Sequence, residues 1–158
     1  MFTLLSLFTL IILPLLIYSC EDDTGGFTQI KGEETLVYLA IKGYRTSNAK
    51  TGPFVHQFLL VTEAQIYSYK MANDVQAINT DGLQEHWDDV MPKLGGYNEH
   101  ALVMSSQTND ADAILAGLLQ LPNAETILLE DVTQCGVGIE YDSSGTNYIT
   151  IMLMKVDD

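Results

Sequence analysis

The C-terminal stretch "VTQCGVGIEYDSSGTNYITIMLMKV" constrains the fold more than any other part of the chain. Two runs of strand-forming residues flank a Ser-Ser-Gly turn, which predicts a β-hairpin. Apolar residues of the second run point to both faces: Ile149, Ile151 and Leu153 to one, and Tyr148, Met152 and Met154 to the other. A strand that is apolar on both faces needs a cover on both sides. The hairpin therefore predicts a sheet enclosed between two layers.

Three stretches upstream of the hairpin have the periodicity of helices. In "EETLVYLAIKGYRTS" the helical spacing is carried by Leu36, Leu39, Ile41 and Tyr44, with Glu33 and Glu34 at the N-terminal end, where the helix dipole favours negative charge. In "HQFLLVTEAQIYSYKMAND" one broad face carries Leu59, Leu60, Ala64, Tyr67 and Met71. The third, "TNDADAILAGLLQL", predicts a long helix with Thr108 or Asn109 as its N-cap.

Between these helices, "NTDGLQEHWDDVMPKLGG" predicts a turn and a short helix that ends at Pro92 and the glycine pair. The segment "HALVMSS" predicts a further strand. Helices on either side of a strand, followed by a closing hairpin, predict an α+β fold: a three-layer α-β-α sandwich with a central, mainly antiparallel sheet.

The N-terminus predicts export. Residues 1–19 carry no charge and are mostly Leu, Ile, Phe and Thr, which is typical of an export signal, although the first lysine is Lys31. An uncleaved membrane anchor is the alternative. Residues 20–32, rich in glycine and acidic groups, predict a flexible tether, and residues 33–156 form the expected folded domain.

The end of the apolar run, "LIYSC" followed by "EDDTGG", resembles the signal of bacterial lipoproteins, in which the cysteine becomes the lipidated N-terminus. The acidic run after Cys20 resembles a surface-export tag of Bacteroidetes lipoproteins. Tyr18 stands where that signal usually has a small residue. A plain secretory signal, with Cys20 removed or left as a free thiol, is the alternative. The protein is therefore expected to be secreted or at the cell surface, with a lipid anchor in an outer membrane as one arrangement.

The net charge of −14 excludes a nucleic-acid partner, because so acidic a surface repels phosphates. The same charge disfavours anionic lipid headgroups, so contact with a membrane is expected only through an N-terminal lipid. The second cysteine, Cys135, lies in an apolar strand and is predicted to be a core residue rather than a nucleophile.

Several segments together resemble the CAP superfamily of cysteine-rich secretory, antigen-five and pathogenesis-related proteins. Its first and second helices are similar to "YLAIKGYR" and "AQIYSYKMA", and its short Trp-Asp helix to "HWDDV". "YNEHA" resembles the family's Gly-Glu-Asn-Ile segment, with Glu99 on the glutamate. "CGVGIEYDSSGTNYITIML" is the most specific match, and the resemblance extends over residues 33–155.

The resemblance implies a wide cleft that holds a metal ion between two histidines in some family members. Here Asn79 stands at the first histidine position and Ala124 at the second, with Asn123 on the preceding glycine and Glu125 on the following arginine. Alanine has no lone pair for a metal, and a neutral amide is a poor zinc ligand. Neither a metal nor another cofactor is therefore expected.

The cleft that the resemblance implies would be lined by polar candidates and one turn: Asn79, His86, Glu99, His100, Asn123, Ala124 and Glu125. Two more specific hypotheses remain open. One is a metal site formed by His56, His86 and His100, and the other is Glu99 as a general base. Trp87 either lines the cleft or anchors the short helix to the core.

These observations favour a non-enzymatic, exported binding module whose ligand is an unidentified lipid, sterol or protein. The alternative is a metal-dependent or hydrolytic CAP protein that uses Glu99 with a histidine. A third hypothesis is a structural surface protein without a ligand, whose acidic coat maintains solubility.

Overall fold

The computed structural model describes Phe27 and residues 29–157. The predicted export signal, Cys20 and most of the predicted tether lie outside the described residues. Five helices and four strands follow one another as α1 (Gly32–Ser47), β1 (Val55–His56), α2 (Phe58–Ala72), α3 (Gln84–Leu94), β2 (Gly96–Ser106), α4 (Ala111–Leu118), α5 (Ala124–Leu128), β3 (Gln134–Tyr141) and β4 (Asn147–Val156). Within the described residues there is no helix of the length and apolarity needed to cross a bilayer.

The four strands form one sheet in the order β1-β3-β4-β2. Strands β3 and β4 are the predicted hairpin, with Gln134 opposite Met154 and Tyr141 opposite Asn147. Strand β2 runs antiparallel to β4, with a register shift between Tyr97 and His100, whereas the two-residue β1 is parallel to β3. The sheet is therefore mainly antiparallel, as predicted.

The sheet separates two apolar cores, and the alternation in β4 decides which residue belongs to which. On one side Ile149, Ile151 and Leu153 pack with α1, α4 and α5. On the other side Met152 and Met154 pack with α2 and α3. The predicted α-β-α sandwich is confirmed, and the hairpin lies in its central layer.

Helix α2 lies unusually close to β3, because two glycines leave room for its backbone. A Cβ on Gly136 would lie 2.3 Å from the carbonyl carbon of Leu60, and one on Gly138 would lie 2.1 Å from that of Ala64. Both distances are shorter than real contacts of a Cβ atom. The Gly-Val-Gly motif is thus the contact surface between strand and helix.

The buried face of α1 differs from the prediction. Leu36 and Leu39 are exposed by 56% and 51%; the predicted Ile41 is completely buried, and so is Val37, which the prediction did not include. The inward face also holds polar residues, Glu34 and Arg45, which periodicity of apolar residues cannot indicate. The predicted face of α2 is confirmed, with Leu60, Ala64, Tyr67 and Met71 buried and Leu59 half-buried.

Two predicted helix ends differ in part from the structure. The glycine pair terminates α3 as predicted, but Pro92 lies inside the helix, which ends at Leu94 and is capped by Gly95 in the left-handed conformation (φ 66°). Helix α4 is capped by Asp110, whose side chain accepts a hydrogen bond from the backbone N–H of Ala113 at 2.8 Å, rather than by Thr108 or Asn109. It is also shorter than predicted, and a separate helix, α5, follows the turn at Pro122.

Cys135 is fully buried, and burial raises the pKa of its thiol far above the ordinary value. A thiol that stays protonated is not nucleophilic. The prediction of a core cysteine is confirmed.

Candidate functional site

A cleft runs beside β2, the edge strand of the sheet, and consists of two cavities that share Thr80 and Ala101. The first, of about 250 Å³, is polar, and its lining includes Asp81, Glu99 and His100. The second, of about 430 Å³, is mainly apolar, and its lining is Ile78, Asn79, Thr80, Ala101, Leu102, Val103, Leu121, Pro122 and Ile127. We call the two cavities together the edge cleft.

The loop that forms one wall of the edge cleft is held by a buried tyrosine of α2. The Tyr67 hydroxyl donates to the carbonyl oxygen of Asn79 at 2.8 Å and accepts from the backbone N–H of Gly82 at 3.3 Å. Burial raises the pKa of Tyr67, so its hydroxyl remains a donor. The wall made by residues 78–82 is therefore fixed to the core.

Asn79 lies in the apolar cavity, but its side chain serves the loop. Its Oδ1 atom accepts from the backbone N–H of Asp81 at 3.1 Å and from Gln76 Nε2 at 3.3 Å. An amide oxygen engaged twice within its own loop acts as a turn residue.

Glu99 and His100 line the polar cavity together, beside Trp87. Glu99 is exposed, and Nε2 of His100 lies 3.1 Å from Oδ1 of Asn98. Trp87 combines both roles considered for it, because only 5% of it is exposed in the α2–α3 core while it also forms part of the cavity wall.

The turn at residues 123–125 does not contribute side chains to the cavities. Asn123 adopts the left-handed conformation (φ 60°), and Ala124 is buried with 1% exposure. Glu125 points toward α1, where its Oε1 atom accepts from the Tyr44 hydroxyl at 3.3 Å. The neighbours Leu121, Pro122 and Ile127 form the apolar wall instead.

His86 lies apart from the edge cleft, buried between α2 and α3. Its Nδ1 atom is 2.7 Å from Oε2 of Glu63, and its Nε2 atom is 3.1 Å from Nζ of Lys70. Because an ammonium group only donates, Nε2 accepts and Nδ1 carries the proton. These residues border a separate surface cavity of about 460 Å³, which also touches Glu85 and Asp89.

The three histidines do not come together. His56 stacks on Tyr38 with ring centroids 4.5 Å apart, on the side of the sheet away from α3, while His100 lines the edge cleft. Among the described residues, no three His, Cys, Asp or Glu side chains come together in an arrangement that could hold a metal ion. Within the same residues, Glu99 has no hydrogen-bonded partner that would make it one half of an acid–base pair.

Two buried polar groups of the fold escape prediction from the sequence: Glu34 and the Glu63–His86 pair. Glu34 accepts hydrogen bonds from Gln65 Nε2, from the backbone N–H of Ile139 at 3.1 Å and from that of Lys31 at 2.7 Å. Burial raises its pKa, and these hydrogen bonds oppose the rise. The Glu63–His86 pair was also missed, since it joins two helices whose packing no local pattern encodes.

No family model matches the sequence, and no match was found among curated proteins. Solved structures from two bacteria are among those that share the fold. One is an outer surface protein from Borrelia burgdorferi (TM-score 0.67, 13% identity, covering 82% of this chain and 96% of that one). The other is an extracellular protein containing a SCP domain from Bacillus anthracis (TM-score 0.62, 17% identity, covering 78% of this chain). This chain spans 40% of the length of the second protein. At such identities the likeness establishes the architecture, which is therefore CAP-like.

Proposed function

We propose that this protein is an exported CAP-like binding module, held at a membrane by lipid on Cys20, which binds its ligand in the edge cleft without catalysing a reaction. The order of segments in the chain is an export signal at 1–19, an acidic tether at 20–32 and the folded domain at 33–156. The proposal is supported by the two proteins of similar structure, one of which is an outer surface protein and the other an extracellular protein.

The observation that carries the binding role is the edge cleft itself, in which an apolar cavity adjoins a polar one. Ligand sites are typically concave, mostly apolar and supplied with a few polar groups. The cleft has few side chains that could act in catalysis. The two positions that the CAP resemblance matches to metal ligands hold Asn79, whose oxygen serves its loop, and Ala124, which is buried. The CAP resemblance alone matches these two positions to metal ligands, and the proposal that the cleft holds no resident metal rests on that match.

A cleft-blocking variant tests the binding role. Thr80 is exposed and belongs to both cavities, so Thr80→Trp fills the cleft at little cost to folding. The matched control is Thr46→Trp, which places the same side chain on exposed α1. Screening against vesicles, sterols and peptides by calorimetry is expected to give a saturable ligand that binds wild type and Thr46→Trp, but not Thr80→Trp. Equal binding by all three would reject the edge cleft.

The alternative, a metal-dependent or hydrolytic protein, is favoured by one observation: Glu99 and His100 line the same cavity. Zinc titration by calorimetry separates it from the leading proposal. Stoichiometric zinc binding that is lost in Glu99→Ala would favour the alternative. A screen without any saturable ligand, and without zinc binding, would favour a structural surface protein.

The lipid anchor has its own test. Mass spectrometry of the N-terminus of the protein, isolated from a bacterial host with lipoprotein processing, is expected to show a diacylglyceryl or triacyl Cys20. An intact Met1 or an unmodified amine at Glu21 would exclude the anchor and leave the cleft untouched.

A further inference from the structure

The two edges of the sheet differ in how their backbone groups are satisfied. At the β3 edge, Val55 and Gln57 donate backbone hydrogen bonds to Thr133 and Cys135. Further along that edge the N–H of Ile139 donates to Glu34, and its carbonyl oxygen accepts from Lys31 Nζ. A short strand and two side chains thus close this edge.

The β2 edge is open by comparison. The backbone N–H and C=O groups of Cys135 and Ile139 point away from β4. Because bonded and non-bonded pairs alternate along an antiparallel ladder, the even-numbered residues of β3 bond to β4, and the odd-numbered residues of β4 bond to β2. Leu102, opposite Ile151, therefore bonds to β4, whereas Ala101, Val103 and Ser105 direct their N–H and C=O groups away from the sheet. Within the described part of the chain, no group forms a hydrogen bond with these outward atoms.

Natural proteins usually protect an edge strand with lysine, proline or a bulge. In β2 a register shift between Tyr97 and His100, with Asn98 at φ 54°, disrupts only the first part of the strand. The remaining segment, "HALVMSS", contains neither lysine nor proline. It is straight enough to pair with β4 residue by residue, and it borders the edge cleft.

The edge cleft has the shape that an added strand requires. Ile78 and Thr80 form a wall on the α2–α3 side of the sheet, and Leu121, Pro122 and Ile127 form one on the α4–α5 side. Side chains of an extended peptide alternate between the two faces of a sheet, so successive residues would meet the two walls in turn. Outward backbone groups of Ala101 and Val103 lie between the walls.

Charge specifies the occupant. Both Asp81 and Glu99 lie at the polar end, and no lysine or arginine of the described residues lines either cavity. We propose that the edge cleft binds an extended segment of a partner protein as an additional strand beside β2, with apolar side chains against the two walls and a lysine or arginine at Asp81 and Glu99. The inference rests on the edge cleft being the binding site and names the class of its ligand. A second copy of this chain is disfavoured by its net charge of −14.

Selection from a phage-displayed library of random octapeptides, with the full-length protein in detergent micelles, tests the proposal. The expected consensus alternates apolar residues and places a basic residue at one fixed position. The substitutions Asp81→Asn and Glu99→Gln in the protein should each weaken its binding of the selected peptide by about threefold, as loss of an exposed ion pair does. Asp112→Asn, the same change on exposed α4, should leave the affinity unchanged. A consensus without a basic residue, or no consensus, would overturn the proposal.

Amide hydrogen exchange measured by NMR identifies the binding mode. Bound peptide should slow exchange at Ala101, Val103 and Ser105, while Leu102 and Met104 are already protected by β4 in the free protein. Slow exchange at the three outward amides before peptide is added, or uniform changes along β2, would contradict strand addition. A lipid or sterol that binds the edge cleft and is lost in Thr80→Trp, with no peptide selected, would overturn this inference and leave the proposed function intact. Self-association of the protein that protects the same amides would instead identify a second copy as the occupant, and would also overturn it.

Discussion

The Nδ1 atom of His86 donates a hydrogen bond to Oε2 of Glu63 across 2.7 Å, and this contact joins α3 to α2 where both side chains are largely buried. Replacing Glu63 by alanine leaves a buried N–H without an acceptor. Such a loss costs about 2 kcal/mol in the free energy of unfolding, which urea denaturation measures. Glu63→Gln retains an acceptor and should cost about half as much.

The control for this prediction is Glu85→Ala on the same cavity. Its side chain is 85% exposed and lies 4.0 Å from Lys70, so its removal should change the free energy of unfolding by less than about 0.5 kcal/mol. Equal destabilisation by Glu63→Ala and Glu85→Ala would show that the buried pair is not what holds the two helices together.

Gly138→Ala should destabilise the domain strongly, because the added methyl group meets backbone atoms of α2 rather than a flexible side chain. Overpacking of this kind costs about 3 kcal/mol, visible as a lower urea midpoint. Gly43→Ala is the matched control: it lies in α1 with nothing within 4 Å of the added Cβ, so it should stabilise the helix by about 0.5–1 kcal/mol. A fold that tolerates both changes equally would contradict the close approach of α2 to β3.

Stability should fall as the pH decreases from about 6.5 to about 4, partly because of His56. Burial against Tyr38 lowers the pKa of His56 from 6.5 to about 4. Over this range the unfolded chain binds a proton that the folded protein does not, so acid favours unfolding. His56→Phe keeps a ring on Tyr38 and removes the titrating group. Urea midpoints measured across this pH range should therefore decline less in His56→Phe than in wild type. An equal decline of the midpoint with pH in both proteins would show that His56 is not the cause.

Arg45 connects α1 to the segment between α5 and β3. Its guanidinium donates to the carbonyl oxygens of Leu128, Glu130 and Val132 and lies 4.4 Å over the ring of Phe54. Lysine cannot reproduce this planar fork of donors, so Arg45→Lys should cost about 2–3 kcal/mol in chemical denaturation. The reverse exchange on exposed α1, Lys42→Arg, should have almost no effect. Near-identical midpoints for Arg45→Lys and wild type would count against this role.

The layers of the fold could be predicted because β4 encodes them residue by residue: Ile151 and Met152 are neighbours in sequence and belong to different cores. The inward face of α1 could not, since it includes Glu34 and Arg45, and each of these has a hydrogen-bond partner more than 80 residues away in the chain. Apolar periodicity selected Leu36 and Leu39 instead. It identifies apolar residues, and here two of them face outward while polar groups are satisfied inside.

The candidate site shows the same division. The CAP resemblance led to Asn79, Glu99 and His100, which line the edge cleft. It also grouped His86 with them, although the structure places that side chain between α2 and α3. His86 and Trp87 are neighbours in α3, but their side chains line different cavities. The angle at which α3 packs decides which of the two faces the cleft. That angle depends on tertiary contacts, so the sequence alone does not supply it.

Lys31, the last residue before α1, contacts Ile139 on β3, and the edge cleft lies beyond β2, two strands further across the sheet. Neighbouring strands are about 4.8 Å apart, so the chain enters the domain on one flank and its opening for ligands is on the other. A lipid on Cys20, as proposed above, would therefore be attached on the flank opposite the edge cleft. This separation of the chain entry from the edge cleft follows from the strand order, so the number of residues that precede Lys31 does not alter it.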